Sequence, residues 1–175
     1  MDNLKLKAAQ IKLIAFDVDG VLTNGEIVYG NNGEEMKVFN AKDGQGMFSL
    51  SKKGFITAII TARASAIVEK RAKDLEILHV YQDVKNKILA LQELMNIYKL
   101  DYSQIAYIGD DLPDICVLEK VGLAFCPNDA VDEVKKICHY VLSKEGGKGA
   151  VREMTDFIIS AKSDQEVTVL QSLEN

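Results

Sequence analysis

Two aspartates, Asp17 and Asp19, stand two positions apart directly after the apolar run "IKLIAF", residues 11–16. A second acidic group, Asp110, Asp111 and Asp114, follows another apolar run in "IAYIGDDLPD". Thr61 closes a third run in "IITAR", and Lys87 opens a helical pattern in "VKNKILALQ". Taken singly, each has a plain structural reading. An Asp after a strand is most often a helix cap, and Asp114 after Pro113 suits the first turn of a helix dipole. Together they do not fit that reading, because carboxylates gathered at one edge repel one another and call for a cation. An oxygen-only site of this kind suits Mg²⁺, which binds through a few carboxylates, waters and substrate phosphate. A carboxylate beside Mg²⁺ can attack phosphorus and form an aspartyl-phosphate. An ordinary Asp has a pKa of about 3.9, so Asp17 is expected to be ionised at neutral pH. Asp19 can protonate the leaving oxygen and later activate water. The Thr61 hydroxyl and the Lys87 ammonium can hold the phosphoryl oxygens as charge moves. Gly20 lets the chain turn sharply beside the phosphate.

Such residues need strands that end side by side. Short runs at 11–16, 55–61, 77–81, 105–109 and 122–125 read as buried strands, rich in Ile and Val and bounded by turn or charged residues. Helical patterns lie between them, near 44–53, 64–75, 112–121, 130–138 and 150–160. The clearest is "NKILALQELMNIYKL", where Ile88, Leu91, Met95 and Tyr98 recur at helical spacing. This alternation predicts an α/β fold, an open and mostly parallel Rossmann-like sheet flanked by helices. The acids and their partners then share the carboxyl edge of the sheet, where open sheets bind ligands. Residues 25–40 interrupt the pattern with two β-like stretches around "GNNG", which predicts a projecting β-hairpin. A single domain is expected over 1–160, with 161–175 a tail or an arm that docks on a neighbour.

Composition narrows the function. The chain has 175 residues, 47% of them hydrophobic and 27% charged, with a net charge of -5. That balance suits one globular domain. It carries no basic stripe to bind nucleic acid, no run long enough to span a membrane and no secretory signal in "MDNLKLKAAQ". Cys116, Cys126 and Cys138 lack metal-type spacing and read as reduced thiols in a cytoplasmic protein.

At these residues the sequence resembles the haloacid dehalogenase superfamily of Mg²⁺-dependent phosphotransferases. "DVDGVLT" looks like its first motif, Thr61 its second, Lys87 its third and "GDDLPD" its fourth, in the same order and over roughly residues 10–160. The resemblance implies that Asp17 is the nucleophile and that Asp19 is the acid and base, with its backbone carbonyl a metal ligand. Thr61 would bind the phosphoryl group and Lys87 screen its charge. Asp17 and Asp110 would bind Mg²⁺ through their side chains, with Asp111 and Asp114 in support. "NAKDGQGM", "ITAR" and "GGKGAVREM" are similar to segments of the capless branch whose members remove phosphate from an eight-carbon keto sugar acid on the way to lipopolysaccharide. Ala62 stands where that branch usually has glycine. Residues 25–40 have room for a hairpin but not for a cap domain. The resemblance therefore implies a homotetramer in which neighbouring chains close the site and exclude water.

A sugar acid phosphate adds a carboxylate, which arginine recognises well. Arg63 is a candidate substrate ligand, or else a surface charge at a helix start. Lys148 and Arg152 lie in "EGGKGAVRE", a glycine-rich loop that opens a helix, a place that favours anions. They are substrate candidates too, or else belong to a plain loop–helix junction. Asn40, Asp43 and Gly44 are weaker candidates, and Asp43 reads equally as a helix cap. Three other functions compete. A signalling receiver domain shares the parallel sheet and acidic pair, but there the acidic pair comes early and the phosphorylated Asp later. A phosphatase for a nine-carbon keto sugar acid phosphate or for another sugar phosphate also competes, but similar enzymes acting on the nine-carbon acid tend to carry an acidic residue where this chain has Arg63. A non-catalytic binding module has no need of an acid/base partner such as Asp19.

Overall fold

The structure, a computed structural model, describes residues 2–31 and 35–173. In chain order its elements begin with α1 (Asp2–Gln10), β1 (Leu13–Phe16), β2 (Val28–Tyr29), β3 (Glu35–Met36), α2 (Ala41–Lys52) and β4 (Ile56–Ile60). There follow α3 (Ala66–Asp74), β5 (His79–Tyr81), α4 (Lys87–Tyr98), β6 (Ile105–Ile108) and α5 (Ile115–Leu118). The chain closes with β7 (Leu123–Cys126), α6 (Asp132–Ile137), β8 (Tyr140–Val141) and α7 (Ala150–Leu173).

β1 is buried along its whole length and lies in the middle of a six-stranded sheet of order β5-β4-β1-β6-β7-β8. Every pairing in it is parallel. Leu13 stands opposite Ile56 on one side and Ile105 on the other, so the carboxyl ends of β1, β4 and β6 finish level. Alternate side chains divide between two cores. Ile14, Phe16, Ile59, Ile108 and Phe125 pack against α1, α2, α3 and α7. Leu13, Ala15, Ile60, Tyr107 and Cys126 pack against α4, α5 and α6. With both faces covered, the strands can be apolar throughout. Each large aliphatic or aromatic side chain so buried contributes about 1.5–3 kcal/mol.

The expected strands and helices are present, with ends moved by a few residues. α1, β8 and a short 3₁₀ turn over Tyr102–Gln104 were not expected. α1 is too polar in "NLKLKAAQ" to show an apolar stripe, yet it buries Ala8 and packs on α7. β8 is only two residues long and extends the sheet at its edge. The helix expected over 112–121 is broken into a 3₁₀ turn, Leu112–Asp114, and α5. Asp111 caps that turn with its side chain and Pro113 sits in its first positions, which fixes a tight start. The helix expected over 150–160 continues to Leu173. β2 and β3 form the expected antiparallel hairpin, Val28 opposite Met36. Its tip, with the "NG" of "GNNG", lies outside the described residues. Among the described residues, no helix is long and apolar enough to cross a membrane.

Candidate active site

The chain leaves β1 for β4 on one side and returns through β6 on the other, which opens a crevice at the carboxyl ends. There a cleft of about 270 Å³ is lined by Asp17, Asp19, Thr61, Arg63, Lys87 and Asp110. The sheet's own hydrogen bonds set the floor. The Asp17 N–H donates to the Ile108 carbonyl at 3.1 Å and the Gly109 N–H to the Phe125 carbonyl at 3.3 Å. Gly20 turns with φ +83°, and a Cβ there would lie 2.0 Å from an Asp110 carboxylate oxygen. Only glycine allows the first acidic loop to close onto the second.

Lys87, the first residue of α4, is buried between two carboxylates. Its Nζ lies 2.8 Å from Asp17 Oδ1 and 2.7 Å from Asp114 Oδ1. Asp114 is fully buried and its acceptor sites are filled. Oδ1 also accepts from the Tyr107 hydroxyl at 2.6 Å, and Oδ2 accepts the Asp110 and Asp111 N–H groups at 3.0 and 3.3 Å. A carboxylate has about four lone-pair sites, so Asp114 positions Lys87 and the Asp110–Asp111 backbone and has little left for a ligand. Asp111 is exposed and caps its own turn through Leu112 N–H at 2.8 Å.

These charges do not balance. Burial, together with the neighbouring Asp114, pushes the Asp17 carboxyl up to about 7, although Lys87 pulls it down. Burial, together with Asp17 and Asp114, pushes Asp110 up to about 8. Burial by itself would lower Lys87, but Asp17 and Asp114 outweigh it and raise the ammonium's pKa. Without a cation, Asp17 therefore departs from the ordinary aspartate expected from the sequence, because desolvation opposes its charge. A cation would restore the ionised form. Asp17, Asp110 and Asp114 offer oxygens within 4.8 Å of one another. Asp110 Oδ1 is buried with no hydrogen-bond partner. With Asp114 already committed, Asp17 and Asp110 are the two carboxylates free to receive a hard dication. A site with few carboxylates and an open side fits Mg²⁺.

Thr61 follows β4 directly and is buried. Its N–H donates to the Tyr81 carbonyl at 2.9 Å and its hydroxyl oxygen accepts the Arg63 N–H at 3.4 Å. Asp19 sits at the mouth of the cleft, facing two cations. Lys37 Nζ is 2.5 Å from Asp19 Oδ1, and Arg63 Nε is 3.6 Å from Asp19 Oδ2. Arg63 also donates to the Tyr29 hydroxyl at 2.6 Å, and Glu35 lies 3.1 Å from Lys37. Sequence reasoning missed Lys37, Glu35 and Tyr29. The signal was the period-two alternation at the end of the hairpin, which turns Glu35 and Lys37 inward and leaves Met36 and Val38 60% and 78% exposed.

The remaining candidates stand apart from the cleft within one chain. Asn40 caps α2, accepting the Lys42 N–H at 2.8 Å, and donates to the Gly147 carbonyl at 3.2 Å. Asp43 is buried and reaches across to α7, accepting the Gly149 and Arg152 N–H groups at 3.2 and 2.8 Å. It is a helix cap, though for α7 and not for its own helix. Gly44 makes room for Arg71, whose Nη2 a Cβ would approach to 2.3 Å. Lys148 pairs with Glu145, and Arg152 with Asp156, both at the surface. The glycine-rich loop instead buttresses the first motif. A Cβ on Gly146 would meet the Gly20 carbonyl at 1.8 Å, and the Gly147 N–H donates to the Val21 carbonyl at 2.9 Å.

Residues 72–154 match the model of the haloacid dehalogenase-like hydrolases. The chain is 42% identical over 165 residues to the 3-deoxy-D-manno-octulosonate 8-phosphate phosphatase KdsC of Yersinia pestis, covering 94% of this chain and 88% of that one. It superposes with a TM-score of 0.92 on the Moraxella catarrhalis 3-deoxy-D-manno-octulosonate 8-phosphate phosphatase in complex with magnesium, phosphate and KDO, at 38% identity and 98% coverage of each chain. The cobalt-bound deoxy-D-mannose-octulosonate 8-phosphate phosphatase of Haemophilus influenzae gives a TM-score of 0.87 at 39% identity, with 90% of this chain and 92% of that one covered. With these likenesses and its four motifs assembled in one cleft, the chain belongs to the haloacid dehalogenase-like hydrolases, in the family of the 3-deoxy-D-manno-octulosonate 8-phosphate phosphatases.

Proposed function

We propose that the protein is an Mg²⁺-dependent phosphatase that releases phosphate from 3-deoxy-D-manno-octulosonate 8-phosphate in the synthesis of lipopolysaccharide precursors. The observation that carries this is the convergence of Asp17, Thr61, Lys87 and Asp110 on one cleft, with Arg63 at its mouth. The Asp17 and Asp110 carboxylates and the Asp19 carbonyl would hold Mg²⁺, which when bound would supply positive charge that keeps both acids ionised and favours the phosphate. An Asp17 carboxylate oxygen bonds to phosphorus as the bond to the sugar oxygen breaks, and Asp19 gives that oxygen its proton. Asp19 then takes a proton from water as the water oxygen attacks phosphorus, freeing Asp17 and orthophosphate. Lys87, fixed by Asp114, balances charge between Asp17 and the phosphoryl group. Thr61 binds a phosphoryl oxygen. Arg63 takes the substrate carboxylate.

The hairpin supports a homotetramer. Its outward residues Val28, Met36 and Val38 form an exposed apolar strip that a neighbouring chain would cover. Such a neighbour brings the surface cations Lys148 and Arg152 to another chain's cleft and supplies the closure a cap domain would give. The free thiols Cys116, Cys126 and Cys138 fit a cytoplasmic setting. Phosphate release with Mg²⁺ across a panel of sugar phosphates and keto sugar acid phosphates tests the substrate. The eight-carbon ester should exceed the others in kcat/KM by about tenfold or more, and a flat profile contradicts the assignment.

A further inference from the structure

Lys37 is out of character for its surroundings. It lies on a hairpin whose neighbouring side chains are open to solvent, yet its own side chain is 1% exposed. It spans from the hairpin to Asp19 Oδ1 and is held from behind by Glu35 Oε1 at 3.1 Å. Burying a lysine head group is costly unless it is paired, and its partner Asp19 lies outside the Asp17–Lys87–Asp114 ion-pair cluster. Arg63, the other cation near Asp19, is longer-ranged at 3.6 Å and is bound to Tyr29. Asp19 sits on a loop that turns at Gly20, so its carboxylate has no helix or strand to fix it.

We infer that Lys37 is the positioning residue for Asp19: the hairpin delivers an ammonium, steadied by Glu35, that aims the acid/base carboxylate at the leaving oxygen. The inference rests on the reading of Asp19 as proton donor to the leaving group. The hairpin is then a working part of the active site as well as a surface for neighbours. Acid catalysis depends on placing the donor within hydrogen-bond reach of the leaving atom. Loss of that placement harms esters of poor leaving groups and spares those whose leaving group departs unprotonated.

The test compares Lys37→Met, Lys37→Arg and Glu35→Gln with wild type under saturating Mg²⁺, on three esters. These are the eight-carbon keto sugar acid 8-phosphate, a simple alkyl phosphate and p-nitrophenyl phosphate. Lys37→Met should lower kcat on both alkyl esters by about 10- to 100-fold with KM nearly unchanged, and lower it less than about threefold on p-nitrophenyl phosphate. Lys37→Arg should recover part of the loss, and Glu35→Gln should show a weaker version of it. Equal losses on all three esters would mean a structural role and overturn the inference. A rise in KM confined to the sugar acid would make Lys37 a substrate ligand and overturn it as well. Because the alkyl phosphate lacks a carboxylate, its kcat pattern decides the matter even where the wild type's turnover of the sugar acid refutes the substrate assignment.

Discussion

Lys87 and Asp114 form a buried ion pair at 2.7 Å, joining the start of α4 to the turn that follows β6. The pair fixes the ammonium that faces Asp17. Removing one partner strands the other in a dry site, at a cost of about 3–5 kcal/mol. Asp114→Ala should therefore lower stability by about that amount in urea unfolding and abolish turnover. Asp111→Ala, which removes only an exposed cap, should cost about 1 kcal/mol. Equal effects of the two changes would contradict the distinction drawn between them.

The metal-free protein should lose stability as pH rises. Asp17 and Asp110 have folded pKa values of about 7 and 8, raised by burial above the ordinary carboxylate value. Between the unfolded value near 4 and these, the native state holds protons that the unfolded chain has released. Stability is then greatest below about pH 4 to 5 as far as these groups are concerned, and falls as pH rises through about 7 to 8. Mg²⁺ binds the ionised forms, so it should raise the melting temperature far more at about pH 8.5 than at about pH 5.5. Thermal melts in chelator and in Mg²⁺ at the two pH values decide this. An equal Mg²⁺ effect at both contradicts it.

Arg63 should act on the substrate's carboxylate and not on the phosphoryl group. Arg63→Ala is expected to raise KM for the sugar acid phosphate by about 10- to 100-fold, the loss of one charge-assisted contact worth about 1.5–3 kcal/mol. KM for an ester without a carboxylate should change little. A general loss on every ester would place Arg63 in the chemistry instead.

The outward strip of the hairpin should be an interface. Val38→Asp places a charge on a residue that is 78% exposed in the single chain. It should leave the monomer's stability within about 0.5 kcal/mol and shift the molar mass in light scattering from tetramer towards monomer. A wild type that is monomeric at micromolar concentration contradicts the interface.

Much of this arrangement was legible in the sequence because it rests on local rules. The apolar runs before Asp17, Thr61 and Asp110 placed these residues at strand ends, and parallel strands bring their ends together. What was not legible depends on contacts between distant segments. Asp43 looked like a cap for its own helix and caps α7 instead, more than a hundred positions away. Asp114 looked like helix dressing, and its four accepted bonds appear only once β6 and α4 are packed. Lys37 was not singled out, because the side of the hairpin that faces the cleft depends on how the loop after Gly20 returns. α1 carries no apolar stripe of its own and is held in place through α7.

Asp17→Asn tests the central claim most directly. The substitution keeps the size of the side chain and removes the nucleophile. Phosphate release from 3-deoxy-D-manno-octulosonate 8-phosphate in Mg²⁺ should be ready in the wild type. In the variant it should fall by about a thousandfold or more, with the folded state retained in thermal melts. Turnover by Asp17→Asn at the wild-type rate, or a wild type that releases no phosphate from this ester, would contradict the account.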